Sequence, residues 1–432
     1  MIASRPVAMA LMILATATAH ANDDAMRDKV RSLEARVAEL EAQLAGVLSM
    51  LEAERSEIPV PAAPVTSAPS RHVGIGGRIK FDAIANSRST GAPGGTDRAD
   101  TAFTPASIPL NDAGEQNQTS AGARESRLWV DAVSPTAMGD LSAYLEIDFV
   151  SFDRSGNEQV SNSYNPRLRH AYAKLGAFTA GQTYTTFLNV LAYPELNDAN
   201  GPVGILNIRQ PMLRFEHETG YGRWQLAAEQ PETVVRTWNG ERIAADDDRL
   251  PDLVGRIEFD TGIGTWTIAA LARQLRADGL VPGRADDQFG WGVSASGRLY
   301  VGALDNVRFA VTSGEGIGRY VSFNGFDDAA LTQAGSLDPI PVTAGFIAWQ
   351  HWWNARLRSN WAIGYARARP DSSAVPATTN QAFSSSHLNL LWSPVPEATL
   401  GIEWLWGRRE LANGMSGSLN RLQFTSVYKF RR

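Results

Sequence analysis

From Val73 onward the chain keeps a two-residue period, in short segments where apolar and polar residues alternate between clusters of Gly, Pro, Asn and Asp. Successive side chains of a β-strand point to opposite faces, so this alternation builds sheets with one apolar and one polar face. In Ser126 to Ala132, Leu128, Val130 and Ala132 oppose Arg127, Trp129 and Asp131. In Ala143 to Phe149, Leu145, Ile147 and Phe149 oppose Tyr144, Glu146 and Asp148. Ile257 and Phe259 oppose Arg256, Glu258 and Asp260; near the end, Leu400, Ile402, Trp404 and Trp406 oppose Gly401, Glu403 and Leu405. The pattern continues to the C-terminus with no helix-period segment and no second linker. At about 22 residues per strand and connection, it makes room for roughly 16 strands, enough for a large closed sheet. No apolar run after the N-terminus approaches the roughly 20 residues that a spanning helix needs, so a helical membrane protein is excluded.

A soluble β-sandwich would alternate in the same way, its polar face wetted by bulk water. Two features tilt the balance against it: the strands recur over the whole stretch without a second linker, and the N-terminus carries an export signal. Residues 1–21 read as a secretory signal, with Arg5, an apolar stretch from Val7 to about Ala17, and Ala19-His20-Ala21 as a cleavage site. From Met26 the apolar positions fall at Val30, Leu33, Val37, Leu40, Leu44, Val47 and Leu51, a heptad seam that assigns residues 22–57 to a self-associating coiled coil. In a parallel pairing Lys29 faces Glu34 of a neighbour and Arg36 faces Glu41, both attractive; the mixed seam leaves the number of helices open. Prolines 59, 61, 64 and 69 make residues 58–72 a stiff extended linker. Residues 73–432 are then one unit, an all-β transmembrane domain: a closed antiparallel outer-membrane β-barrel of about 16 strands, preceded by the coiled-coil helix.

With a net charge of -6 and no basic patch with interleaved aromatics, nucleic acid is not an expected partner. The chain has no cysteine, so disulfides, thiolate metal sites and cysteine nucleophiles are absent together. Its six histidines show no HExxH spacing, and no GxSxG elbow occurs; no cofactor or metal centre is expected. His170 and His217 have outward parity and read as interfacial, and His351-Trp352-Trp353 reads as part of an aromatic girdle. A lipid hydrolase built into the barrel would need a serine and a histidine adjacent in space, which sequence does not decide.

The longer irregular stretches are Ser87 to Gln118, Asn189 to Ile208, Thr237 to Arg249, Gly279 to Asp287, Asn324 to Pro341 and Pro370 to Ser384, read as external loops facing lipopolysaccharide. The acids Asp246-Asp247-Asp248 and Asp286-Asp287 read as a solvated rim with bridging divalent ions, lacking calcium-loop spacing. Leu191 to Leu206, with Pro194, Gly201, Pro202 and Gly204, is compact enough to fold into the lumen and set the bore. With apolar residues facing lipid, the lumen holds Arg127, Arg167, Arg169, Arg214, Arg256, Arg273, Arg308, Arg356, Arg358 and Arg421. The acids Asp131, Glu146, Asp148, Glu216, Glu258, Asp260 and Glu403 share that surface. Guanidinium groups stay charged and grip carboxylates through paired hydrogen bonds, so an arginine surplus favours anions. Any single arginine could instead brace the wall through a neighbouring acid. Arg167, Arg169 and Arg214 flank the inward loop, and Arg209 closes it; with Arg127, Arg256, Arg356 and Arg358 these are the expected pore-lining and solute-binding residues.

The phrases Ser126-Arg127-Leu128, Glu146-Ile147-Asp148-Phe149, Leu168-Arg169-His170-Ala171-Tyr172, Gly181-Gln182-Thr183-Tyr184-Thr185-Thr186-Phe187, Gly201-Pro202-Val203-Gly204, Arg209-Gln210-Pro211, Arg249-Leu250-Pro251-Asp252-Leu253, Gly316-Ile317-Gly318-Arg319-Tyr320 and Leu357-Arg358-Ser359, in this order, resemble the DcaP-like trimeric porins. The resemblance implies a homotrimer, a periplasmic coiled coil, and passive diffusion of small anionic solutes such as dicarboxylates. The competing readings are an envelope protein whose barrel anchors a coiled-coil tether, and a barrel lipid hydrolase. Deleting residues 22–57 is expected to weaken assembly while each pore still folds; a chain that no longer folds, judged by its heat-dependent gel mobility, would contradict the placement of the zipper outside the barrel.

Overall fold

The computed structural model describes residues 71–88, 102–111, 116–150, 162–245, 247–371 and 373–431. The expected signal, coiled coil and nearly all of the linker lie outside the described residues. The first strand, β1 (His72–Arg88), begins one residue earlier than the alternation suggested. It meets a strand in two pieces, β2 (Gln116–Gly122 and Arg127–Thr136): Asp82 to Arg88 pair with the first piece and His72 to Arg78 with the second. There follow β3 (Gly139–Asp148), β4 (Arg167–Leu175), β5 (Phe178–Tyr184), β6 (Arg209–Thr219), β7 (Gly222–Glu229), β8 (Asp252–Thr261), β9 (Gly264–Asp278) and β10 (Ala285–Val301). The set ends with β11 (Asp305–Glu315), β12 (Pro341–Asn354), β13 (Leu357–Ala368), β14 (Asn380–Val395), β15 (Ala398–Leu411) and β16 (Ser416–Arg431).

Each strand pairs antiparallel with its sequence neighbours, and β16 returns to β1 from Gly76↔Arg431 to Asn86↔Arg421. The result is a closed antiparallel barrel of 16 strands. Closure leaves no edge, so the backbone polar groups of the wall are paired within the sheet, as a spanning sheet requires where no water reaches. The outer face carries the apolar parity: Leu388, Leu390 and Trp392 on β14, and Trp361, Ile363 and Tyr365 on β13, all stand exposed. In β15 the opposite parity buries Gly401, Glu403, Leu405 and Gly407 inside.

Short turns join one end of the strands, such as residues 220–221 between β6 and β7 and 355–356 between β12 and β13. The long connections stand at the other end: L1 (residues 89–115), L3 (185–208), L4 (230–251) and L6 (316–340). L4 and L6 are tied by a small sheet in which Val234–Thr237 pairs with Arg242–Ala244 and runs parallel to Ala329–Leu331, itself paired with Leu337–Pro339. Part of the barrel interior is taken up by an apolar core that loop residues share with the wall: Phe103 and Ile108 of L1, Phe187, Val203 and Leu206 of L3, and Ile317, Tyr320, Val321 and Phe326 of L6.

A charge on the lipid face near the middle of a strand costs about 2–4 kcal/mol. Leu388→Arg is therefore expected to deplete the folded, heat-modifiable form on a gel, whereas Leu388→Val leaves it intact; equal yields would argue against this face meeting lipid.

Candidate functional site

L3 departs from the wall at a fixed angle because Glu229 of β7 receives its first residues: the Thr186 amide donates to Glu229 Oε1 at 2.6 Å and the Thr185 hydroxyl to Oε2 at 2.6 Å. Asn189 then accepts from the Leu191 amide at 3.0 Å, capping a single 3-10 turn, Val190–Ala192. Beyond it the chain crosses the bore and is fastened to the far wall. The Asn197 amide donates to Glu403 of β15 at 2.6 Å, and its carbonyl accepts from Lys80 of β1 at 2.7 Å. Glu195 is held by Arg358 and Gln350, and Asp198 by Arg421 at 3.3 Å, a pair with both side chains fully buried. The return is made by Gly201 and Gly204, whose φ values of 74° and 87° only glycine adopts freely. The Val203 amide there donates to Ser385 Oγ at 2.9 Å and the Gly204 amide to Ser322 Oγ at 2.9 Å. The wall makes room through missing side chains: a Cβ on Gly364, Gly401 or Gly407 would collide with Val203, Asn197 or Phe103.

Several expected pore arginines are therefore fasteners. Arg256 donates to the Leu188 carbonyl at 2.7 Å and pairs with Glu258. Arg308 donates to the Tyr193 carbonyl, and Arg273 holds L6 through the Gly316 carbonyl at 2.9 Å and Asp328 while pairing with Asp252 at the start of β8. Arg358 and Arg421 hold L3 from across the bore. Arg214 of β6 donates to Thr186 Oγ1 at 2.8 Å and to the Tyr184 carbonyl at 2.7 Å, fixing the start of L3. Arg356 is a correction: it is exposed in the two-residue turn between β12 and β13, because the strand pairing ends at Asn354↔Leu357 and removes it from the wall.

The remaining arginines gather where β2, β4, β5 and β6 face Tyr193 of L3. Arg169 is almost wholly buried between Glu146 and Asp148, with 2.9 Å to the latter. Arg167 grips Asp148 with two bonds, at 2.9 and 2.7 Å. Arg127 comes within 3.7 Å of Glu146 and makes no hydrogen bond among the described residues. Arg209 donates to the Tyr184 hydroxyl at 2.8 Å and lies over that ring, with no carboxylate in ion-pair range among the described residues. Three guanidinium groups thus share two carboxylates and Arg209 reaches neither, so Arg127 and Arg209 keep donors to spare. Tyr144, Tyr172, Tyr184, Tyr193 and His170 surround the cluster, neighbouring rings 5.0 to 6.4 Å apart.

His170 overturns its expected lipid-facing position. A bulge opposite Glu146 and Ile147 shifts the β4 register by one, so Arg169 and His170 both turn inward, and His170 sits 3.0 Å from Thr183 Oγ1. His217 is exposed and packs on Trp224. In the girdle segment His351 stacks between Trp349 and Trp353, while Trp352 lies under Arg358. Three of the expected rim acids are tied internally: Asp287 pairs with Arg276 at 2.8 Å, Asp286 accepts from the Leu337 amide, and Asp248 accepts from Thr233; Asp246 lies outside the described residues.

Strand register also assembles a grouping that sequence left undecided. His387 Nε2 lies 3.2 Å from Ser385 Oγ, and its Nδ1 lies 3.0 Å from Glu403, a serine–histidine–carboxylate line. All three are at most 1% exposed, and the Val203 amide already occupies the serine oxygen, so an acyl substrate has no approach. The line works as a clamp beneath L3.

Burial pushes the Asp198 carboxyl of L3 up to about 6, and Arg421 offsets only part of that. A carboxyl raised above its ordinary value of 3.8 binds a proton on folding between these two values. Its favourable contribution is complete below the window and is lost as pH rises through about 6. Asp198→Asn is expected to flatten the corresponding part of the pH profile of unfolding in detergent; a profile identical to the wild type would refute this.

Three comparisons bear on identity. The chain matches the family described as DcaP outer membrane protein over residues 15–430. None of the curated proteins matches it. Among solved structures it is similar to the outer membrane channel DcaP of Acinetobacter baumannii, at TM-score 0.70 and 21% identity over 85% of this chain and 100% of that one. It is also similar in fold to OmpT, an outer membrane protein of Vibrio cholerae in its trimer form, at TM-score 0.52 and 11% identity over 84% and 100% of the two chains. The anion-selective porin from Comamonas acidovorans gives TM-score 0.51 and 10% identity over 84% and 100%. A 16-stranded closed barrel with an inward third loop and a sequence match spanning nearly the whole chain make this protein a member of the DcaP outer membrane protein family, with the fold of an outer membrane channel.

Proposed function

We propose that the protein is a passive pore for small hydrophilic solutes with a preference for anions, dicarboxylates among them. One observation carries this reading: beside L3, Arg127, Arg167, Arg169 and Arg209 have, among the described residues, only Glu146 and Asp148 as acids in their midst, and Arg127 and Arg209 retain unused donors. A solute that sheds water in a constriction needs compensating groups on the wall, and guanidinium groups compensate carboxylates best. Most lumen acids elsewhere are already matched: Glu195 by Arg358, Asp198 by Arg421, Asp252 by Arg273 and Glu216 by Lys174. The match to an anion-selective porin fold supports the same direction.

We read the working unit as a homotrimer: the heptad seam of residues 22–57 supports self-association, and the trimer form of the OmpT neighbour supports the number three. The coiled coil stands on the periplasmic side, and the loop end faces lipopolysaccharide. Reversal potentials in a salt gradient test the proposal. The wild type is expected to favour chloride over potassium modestly, and Arg127→Ala with Arg209→Ala to bring the ratio toward one; cation preference in the wild type would overturn the arginine reading. No stable channels in a planar bilayer would instead favour a plugged barrel that anchors an envelope tether, a reading that the packed L1, L3 and L6 make worth testing.

A further inference from the structure

Tyr184 ends β5 at the point where L3 leaves the wall, and its phenol oxygen lies among the arginines that the anion reading depends on. It accepts from Arg209 Nη2 at 2.8 Å and lies 3.5 Å from Arg169 Nη2. The Arg209 guanidinium also covers its ring, 4.5 Å from the centroid, and Arg127 is near enough to act on the phenol electrostatically. The ring is held from two sides, by His170 edge-on at 5.0 Å and by Tyr193 of L3 at 6.4 Å. Arg209 has no carboxylate in range among the described residues, so this phenol is the oxygen that occupies its donor edge.

We propose that Tyr184 sets how tightly the constriction holds its solutes: its oxygen takes the place of a carboxylate oxygen on Arg209 and Arg169 and must be displaced at each passage. This deepens the anion reading above and rests on it. A bare guanidinium cluster in a narrow, poorly hydrated site would bind a carboxylate strongly, and a pore conducts only if binding is weak enough for the solute to leave. A tethered phenol is a weaker acceptor than a carboxylate. It keeps the donors engaged between passages yet yields when a stronger acceptor arrives, so each solute exchanges one hydrogen bond for another instead of gaining a free one.

Tyr184→Phe removes the oxygen alone and retains the ring under Arg209 and beside His170. The readout is the dissociation constant for succinate, taken from its concentration-dependent reduction of chloride current through single channels in a planar bilayer. Succinate is expected to bind Y184F about fivefold more tightly than the wild type, the gain from one hydrogen bond no longer displaced. Unchanged or weaker binding overturns the proposal, because a residue that merely positions Arg209 would loosen the site when removed. Tyr184→Leu supplies the same comparison should Y184F insert poorly. A wild type that favours cations defeats the anion reading itself, whereas an anion-preferring wild type with unaltered succinate binding in both variants defeats only the role of Tyr184.

Discussion

Everything in this molecule depends on the seam between β1 and β16. Within lipid an unpaired backbone N–H or C=O costs several kcal/mol, so a sheet with two free edges is not a viable spanning structure. The continuous pairing from Gly76↔Arg431 to Asn86↔Arg421 joins residues more than 300 positions apart and removes both edges. Once that seam closes, lipid and lumen are defined and the alternation has meaning: Leu388 and Ile363 acquire an apolar surrounding, and Glu403 and Arg421 an enclosed polar one. The interior is not simply water-filled. Loops L1, L3 and L6 bring their own apolar residues into it and form a core inside the cylinder, where a soluble protein would have its core between layers.

Charge inside that enclosure divides into two populations. Arginines opposite the origin of L3 are consumed in holding it: Arg358, Arg421 and Arg308 each reach a carboxylate or carbonyl of the loop. Arg127 on β2 and Arg209 at the start of β6 have fewer acceptors and remain under-paired. A buried pair such as Arg421 with Asp198 contributes mainly position, since the desolvation of two ions offsets much of their attraction. The same residue type therefore serves as a fastener at some positions and as a field source at others, and the difference lies in what L3 brings within reach.

Much of the barrel was legible in the chain because a two-residue period is a local property: the outward Leu145, Ile257, Ile402 and Trp404 follow directly from it. The inward fold of residues 191–206 was legible too, through its glycines and prolines. What parity could not reveal was the bulge opposite Glu146, since an extra residue in one strand is visible only against its partner, and it placed His170 on the wrong face. Nor could it show that Arg356 falls in a turn, as the end of a strand depends on where its neighbour stops. The division of arginines into fasteners and free donors, and the approach of Ser385 and His387 to Glu403, depend on contacts between segments hundreds of residues apart; the phrase Gly181 to Phe187 contained Tyr184 but gave no sign of the guanidinium groups around it.

Gly364 and Gly401 carry no side chain, and L3 lies as deep against the far wall as it does because the Val203 backbone fills the place of a Cβ on Gly364 and the Asn197 side chain that of one on Gly401. A methyl group at Gly364 would lift Val203 away from its seat, and one at Gly401 would displace the Asn197 side chain. The depth of L3 in the barrel is thus written partly in two absences on the opposite bank, and drift at these sites would shift the loop while leaving the charges around it untouched.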